Sequence, residues 1–85
     1  MTTRVLFFGA LKETAGGAER VVELPRHVTS IDELAEWLAG GNQDVKCALL
    51  ARSVRIAVDQ AIMNGRDGYI GGAKEIAFMT AFSGG

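Results

Sequence analysis

With 85 residues there is room for one domain, and a chain this short buries only about 60–65% of the surface it exposes when unfolded, so its core is thin. Apolar residues make up 48% of the chain, a globular rather than a disordered value. Nine basic against ten acidic side chains give a formal net charge of -1 with no run of like charges, which excludes binding driven by phosphate neutralisation or by electrostatic tethering to a membrane.

Residues 3–9, Thr-Arg-Val-Leu-Phe-Phe-Gly, are β-branched, aromatic and almost continuously apolar. They predict a strand buried on both faces and therefore central in a sheet. A short helical turn over 10–15 is stopped by Gly16-Gly17, and residues 19–24 form a second strand ended by Pro25, which has no N–H for a ladder. The best-defined helix starts at Ser30, whose hydroxyl caps the first turn while Glu33 reaches back. Ile31, Leu34, Ala35 and Leu38 form one apolar stripe, and Gly40-Gly41 ends the helix. A weaker helix covers roughly 44–52. Residues 54–58 are a strand, Asp59-Gln60 interrupts it, and 61–63 resume an extended path. Two turn dipeptides make 64–68 a loop, and residues 75–79 are the last strand.

The first and last strands are the most hydrophobic, so they are expected side by side and parallel at the sheet centre. With one amphipathic helix over one face, the order points to an α+β fold of the β-grasp type: a mixed sheet packed on one main helix. Residues 1–79 are expected to form this domain, and 80–85 a flexible Gly-Gly tail. Cys47 alone cannot form an internal disulfide, no signal-peptide pattern or long apolar segment appears, and the expected location is the cytoplasm.

The side-chain inventory for catalysis is nearly empty. One His and one Cys give no paired metal ligands, so no metal is expected. Cys47, among Val45, Ala48 and Leu49, is expected as a buried inert thiol, and His27 as a solvated loop residue. Glu33 and Glu36 are explained by capping and solvation, and Trp37 by core or boundary packing. No phosphate-cradling glycine motif is present.

What remains is the end of the chain. Two glycines there are a weak signal alone in a chain with 11 of them. Attached to the last strand of a β-grasp body, they acquire a chemical reason. A terminal carboxylate becomes electrophilic once ATP converts it to an acyl-adenylate, and an activating enzyme must hold it in a narrow, dry channel. Gly84 and Gly85 lack Cβ atoms and can thread such a channel. Replacing one oxygen by sulfur then gives a thiocarboxylate that is ionised and nucleophilic at neutral pH, as a thiolate is relative to a thiol.

The sequence resembles the small, sulfur-carrier subunit of molybdopterin synthase, a ubiquitin-like β-grasp family, over essentially its whole length. Val5-Leu6-Phe7-Phe8-Gly9-Ala10-Leu11-Lys12-Glu13 is similar to the family's opening strand and turn, with Gly16 where its glycine is expected. Ile56-Ala57-Val58-Asp59-Gln60 resembles its "A-V-N-Q" segment, with Asp59 for the usual Asn. Glu75-Ile76-Ala77-Phe78 and Ser83-Gly84-Gly85 resemble its "E-V-A-F…G-G" ending. Two departures stand out: Thr80-Ala81 replaces a Pro-Pro pair, and Gly72-Ala73-Lys74 replaces a Gly-Asp turn.

The resemblance implies that the chain is not an enzyme by itself and binds no cofactor. A ubiquitin-activating-type adenylyltransferase would use ATP to adenylate Gly85, and a sulfur donor enzyme would convert it to the thiocarboxylate. The tail, Ser83 and Gly84 included, would enter the large synthase subunit of a heterotetramer and deliver sulfur to cyclic pyranopterin monophosphate, building the dithiolene that later binds molybdenum. The family's docking face would fall on Phe8, Ile62 and Met79 with Lys12 beside them. Phe82 is an additional candidate anchor, while Phe8 and Ile62 can equally be read as core. Alternatives are the sulfur carrier of thiamine synthesis, a protein modifier conjugated through Gly85, and a β-grasp binding module with an inert tail.

Overall fold

The computed structural model describes residues 2–63 and 68–80. Five strands and three helices follow the order β1 (Thr3–Phe8), α1 (Leu11–Ala15), β2 (Glu19–Val22), α2 (Ile31–Ala39), α3 (Gln43–Leu49), β3 (Val54–Val58), β4 (Ala61–Ile62) and β5 (Glu75–Thr80). They form one mixed sheet in the order β2-β1-β5-β3-β4. The two most hydrophobic strands do lie together and parallel, Val5 opposite Ile76 and Phe8 opposite Met79. The neighbours β2 and β3 run antiparallel to them. This is the expected α+β arrangement of a β-grasp sheet with helices on one face.

The core sits between that face and the helices. Val5 and Phe7 of β1, Ile56 of β3, and Ile76 and Phe78 of β5 meet Ile31, Leu34, Ala35 and Leu38 of α2. The rings of Phe7 and Phe78 stack with centroids 5.8 Å apart, a geometry that adds about 0.5–1.5 kcal/mol to their burial. Helix α2 has the predicted stripe and cap. Ser30 Oγ accepts from the Glu33 N–H at 3.2 Å, and Gly40 closes the helix in the left-handed region at φ 58. Glu33 Oε1 in turn accepts from the Thr29 N–H, the Thr29 hydroxyl and the Ser30 hydroxyl. These bonds, led by the Thr29 amide, hold its carboxyl below its ordinary pKa of 4.5.

Several expectations need correction. Helix α3 starts at Gln43 because Asn42 Oδ1 caps the Asp44 and Val45 amides, and it ends at Leu49 rather than 52. Cys47 is exposed, not buried. Two residues beyond Val45 the helix has turned by about 200°, so Val45, Ala48 and Leu49 face the core while Cys47 points away from them. The second strand stops at Val22, short of residue 24, and the last runs one residue further, to Thr80. Core residues also come from segments without regular structure: Val28, Ile70 and Ala73 are buried. They are fixed by backbone bonds, Ile70 N–H to Thr29 O at 2.9 Å and Ala73 N–H to Ile70 O at 3.0 Å.

Asp59 and Gln60 form a two-residue hairpin loop between the paired Val58 and Ala61, both at positive φ, 50 and 72. That backbone suits a hairpin's twist, and Asp is among the few non-glycine residues that enter it readily. The Asp59 carboxylate also accepts from the Lys74 N–H at 2.8 Å and the Glu75 N–H at 3.0 Å. The turn through 72–74 is thereby tied to the hairpin, and the Thr3 hydroxyl donates to Ala73 O at 2.7 Å from the other side. No helix of the described residues is long and apolar enough to cross a membrane.

Candidate functional site: the open sheet face and the end of the last strand

The first strand is central, yet it is not buried on both faces as its composition predicts. Its burial alternates: Thr3, Val5 and Phe7 are buried, while Arg4 and Phe8 are exposed and Leu6 is half-buried. Successive side chains of a strand point to opposite faces, and residues paired across strands share one. The register therefore defines the face without helices. Leu6, Ala77, Ala57 and Ile62 form one row across β1, β5, β3 and β4. Phe8, Met79 and Arg55 form the next row towards the C-terminal end of β5. Arg4, Glu75 and Val21 lie at the opposite end. Ala57 and Ala77 are little exposed because a methyl group sits below its larger neighbours, and neither belongs to the core cluster.

At the start of β1, Arg4 is flanked by Glu19 at 3.2 Å and Glu75 at 3.8 Å. These surface pairs contribute roughly 0–1 kcal/mol each, so their main effect is to leave that end charged and compensated. The row at the other end mixes apolar and charged groups: Phe8 keeps 47% of its surface exposed, Met79 is half-buried and Arg55 exposed, while Ile62, 57% exposed, lies one row back on β4. Parity thus places Phe8 and Ile62 outside the core. Lys12 is exposed on α1 just past the end of β1, its N–H donating to Gly9 O at 3.2 Å. Strand β5 ends beside this row, Thr80 opposite Val54.

Phe8 and Met79 are thus neighbours at the end of β5, Ile62 lies one row back on β4 at the edge of the sheet, and Lys12 lies on α1 just past the end of β1. Phe82, Ser83, Gly84 and Gly85 lie outside the described residues. Sequence reasoning missed Leu6, Ala57, Ala77 and Arg55 as parts of the same surface. Their signal was the register, which a single strand does not display. His27 is exposed, and Cys47 lies on α3 rather than on this face. Among the described residues no group of three or more His, Cys, Asp or Glu side chains could hold a metal ion. The site thus presents the partly exposed apolar groups Phe8, Met79 and Ile62, with Arg55 in the same row as Phe8, on the helix-free face beside the end of β5.

Solved structures share this architecture. SAMP1 from Haloferax volcanii superposes with a TM-score of 0.75 at 15% identity, covering 100% of both chains. A candidate molybdopterin converting factor, subunit 1, from Pyrococcus furiosus has a TM-score of 0.74 at 18% identity, covering 96% of this chain and 99% of that one. The small archaeal modifier protein 1 of Methanosarcina acetivorans has a TM-score of 0.66 at 17% identity, over 99% and 96% of the two chains. At these identities the likeness establishes the fold alone. No curated protein sequence matches significantly. The family model described as the ThiS family matches residues 5–85. The chain belongs to the ThiS family and has the ubiquitin-like β-grasp fold.

Proposed function

We propose that this chain is the sulfur carrier of molybdenum cofactor biosynthesis, the small subunit of a molybdopterin synthase. One oxygen of the Gly85 carboxylate attacks the α-phosphorus of ATP on an adenylyltransferase. An acyl-adenylate forms and pyrophosphate leaves. A sulfur donor supplies hydrosulfide, whose sulfur displaces AMP at the same carbonyl and loses its proton, giving the thiocarboxylate. On the large subunit the thiocarboxylate sulfur attacks an electrophilic carbon of cyclic pyranopterin monophosphate, and a carbon–oxygen bond at that carbon breaks, its oxygen leaving with the electron pair and taking up a proton. Water then cleaves the resulting thioester, leaving a thiol on the product and restoring the Gly85 carboxylate. Two such deliveries complete the dithiolene.

The observation that carries this reading is the end of β5 beside the exposed Phe8 and the half-buried Met79. Docking through the open face brings the last residues of the chain to the partner, where the reacting groups reside. The family match over 5–85 supports a sulfur carrier, and the motif resemblance at residues 5–13, 56–60, 75–78 and 83–85 and the likeness to the Pyrococcus furiosus converting-factor subunit favour the molybdopterin route. The likeness to archaeal modifier proteins favours a second reading, in which a partner lysine attacks the activated Gly85 carbonyl and forms an isopeptide.

Reconstitution distinguishes these readings. The thiocarboxylate form, mixed with the large subunit and cyclic pyranopterin monophosphate, should yield the dithiolene product in proportion to the sulfur loaded. No transfer to the pterin, together with an isopeptide ladder in cells that vanishes on removal of Gly84-Gly85, would replace the carrier reading with the modifier one. Transfer to a thiazole precursor instead would assign the chain to thiamine synthesis.

A further inference from the structure

Where β5 leaves the sheet, a glycine and a threonine meet. Gly9, the first residue after β1, adopts φ +64, a left-handed conformation that costs other L-residues roughly 1–2 kcal/mol. A Cβ built on it would collide with Thr80 Oγ1. Thr80 is half-buried, paired with Val54, and is the last residue of β5. Its Cβ carries two heavy substituents, so two of its three staggered rotamers aim a heavy atom into the space over Gly9. The absence of a side chain at residue 9 is therefore what lets Thr80 hold this rotamer against the β1–α1 corner. In the family that the sequence resembles, a proline stands at this position and fixes the backbone through its ring. Here the end of the strand is held by a side chain packed over a glycine.

We propose that Gly9 and Thr80 form a positioning joint that sets the direction in which the terminal residues enter the partner enzyme. The inference rests on the reading of Gly85 as the loaded terminus. Five residues follow Thr80, and at roughly 3.3–3.6 Å per extended residue they reach about 17 Å. When the domain is docked and the terminus is drawn out in a channel, a 10° rotation at Thr80 displaces the tip by about 3 Å. A misplacement of roughly 1 Å can cost about a hundredfold in rate. The joint should therefore act on the chemical step and leave docking, which uses the open face, unaffected.

The test compares the wild-type full chain with Gly9→Ala, Thr80→Ala and the double variant, using the activating enzyme that adenylates the wild-type chain. Docking affinity is measured without ATP, and the single-turnover rate of pyrophosphate release at saturating enzyme, at a temperature where circular dichroism shows every variant folded. Gly9→Ala is expected to bind within about twofold of wild type and to react roughly 10–100-fold more slowly. Thr80→Ala, which removes the side chain packed over Gly9, is expected to slow the same step with docking unchanged, and the double variant to be no slower than the slower single one, because both changes break the same joint. A merely structural joint would lower the melting temperature and leave the rate unchanged, which would overturn the positioning role alone. A Thr80→Ala that reacts at the wild-type rate, or a double variant whose loss is the product of the two single losses, would also overturn it. A wild-type chain that no activating enzyme adenylates would overturn the loaded-terminus reading together with the joint.

Discussion

Truncating two adjacent phenylalanines to alanine should separate the two faces of β1. Phe7 is 1% exposed and stacks on Phe78, whereas Phe8 is 47% exposed on the open face. Phe7→Ala removes a fully buried ring and should cost about 3–5 kcal/mol of stability. In a domain of this size that lowers the melting temperature by tens of degrees or prevents folding. Phe8→Ala should cost the free domain only about 1–2 kcal/mol, because half of the ring already contacts water. The exposed half, about 100 Å² of a ring that can bury roughly 200 Å², remains available to a partner. At about 25 cal/mol per Å² it supplies roughly 2.5 kcal/mol to docking, close to a 70-fold change in Kd. Thermal denaturation and isothermal titration of each variant against the large subunit measure the two effects. Equal destabilisation by both variants would refute the assignment of faces. A stable Phe8→Ala that binds like wild type would refute the docking role.

Other residues give independent tests. Asp59→Ala removes the acceptor for two amides and places alanine at φ 50, so urea denaturation should register a loss of about 2–3 kcal/mol. Asp59→Asn keeps Oδ1 and the tolerance for that backbone, and should cost under about 1 kcal/mol. Glu33 has a folded pKa below its ordinary 4.5, so its stabilisation is present above that value and lost as pH falls through the folded one. The difference in melting temperature between wild type and Glu33→Gln should accordingly shrink below about pH 4.5. Cys47 should react with iodoacetamide in the native protein without prior unfolding, and without changing the melting temperature. Protection until unfolding would contradict its exposure. Gly84→Val, or one residue added after Gly85, should abolish sulfur loading while circular dichroism stays unchanged.

How far the sequence discloses this molecule depends on which interactions are local. The cap of Ser30 and Glu33, the stripe from Ile31 to Leu38 and the stop at Gly40 involve residues a few positions apart, and all were legible. The parallel central pair was legible because β1 and β5 hold most of the apolar aromatic residues. The open face was not. Phe8 follows Phe7 with the same side chain, and only the pairing of β1 with β5 and β3 shows that one lies in the core and the other outside it. Cys47 was misjudged by counting sequence neighbours instead of helical angle. Val28, Ile70 and Ala73 escaped because their burial depends on loops held by Thr29, Asp59 and Thr3, through bonds that span up to 70 positions. Asp59, which looks like a mere variant of a family motif, proves to join the hairpin to the start of the last strand.

The most direct test of the central claim is the intact mass of the chain isolated under non-reducing conditions from the cell that makes it, followed by fragmentation of the C-terminal peptide. The account predicts a population heavier by one oxygen-to-sulfur exchange, with the change confined to the Gly85 carboxyl and lost when the activating enzyme is deleted. A terminus that carries only oxygen under every condition, in cells where the large subunit is active, would contradict it.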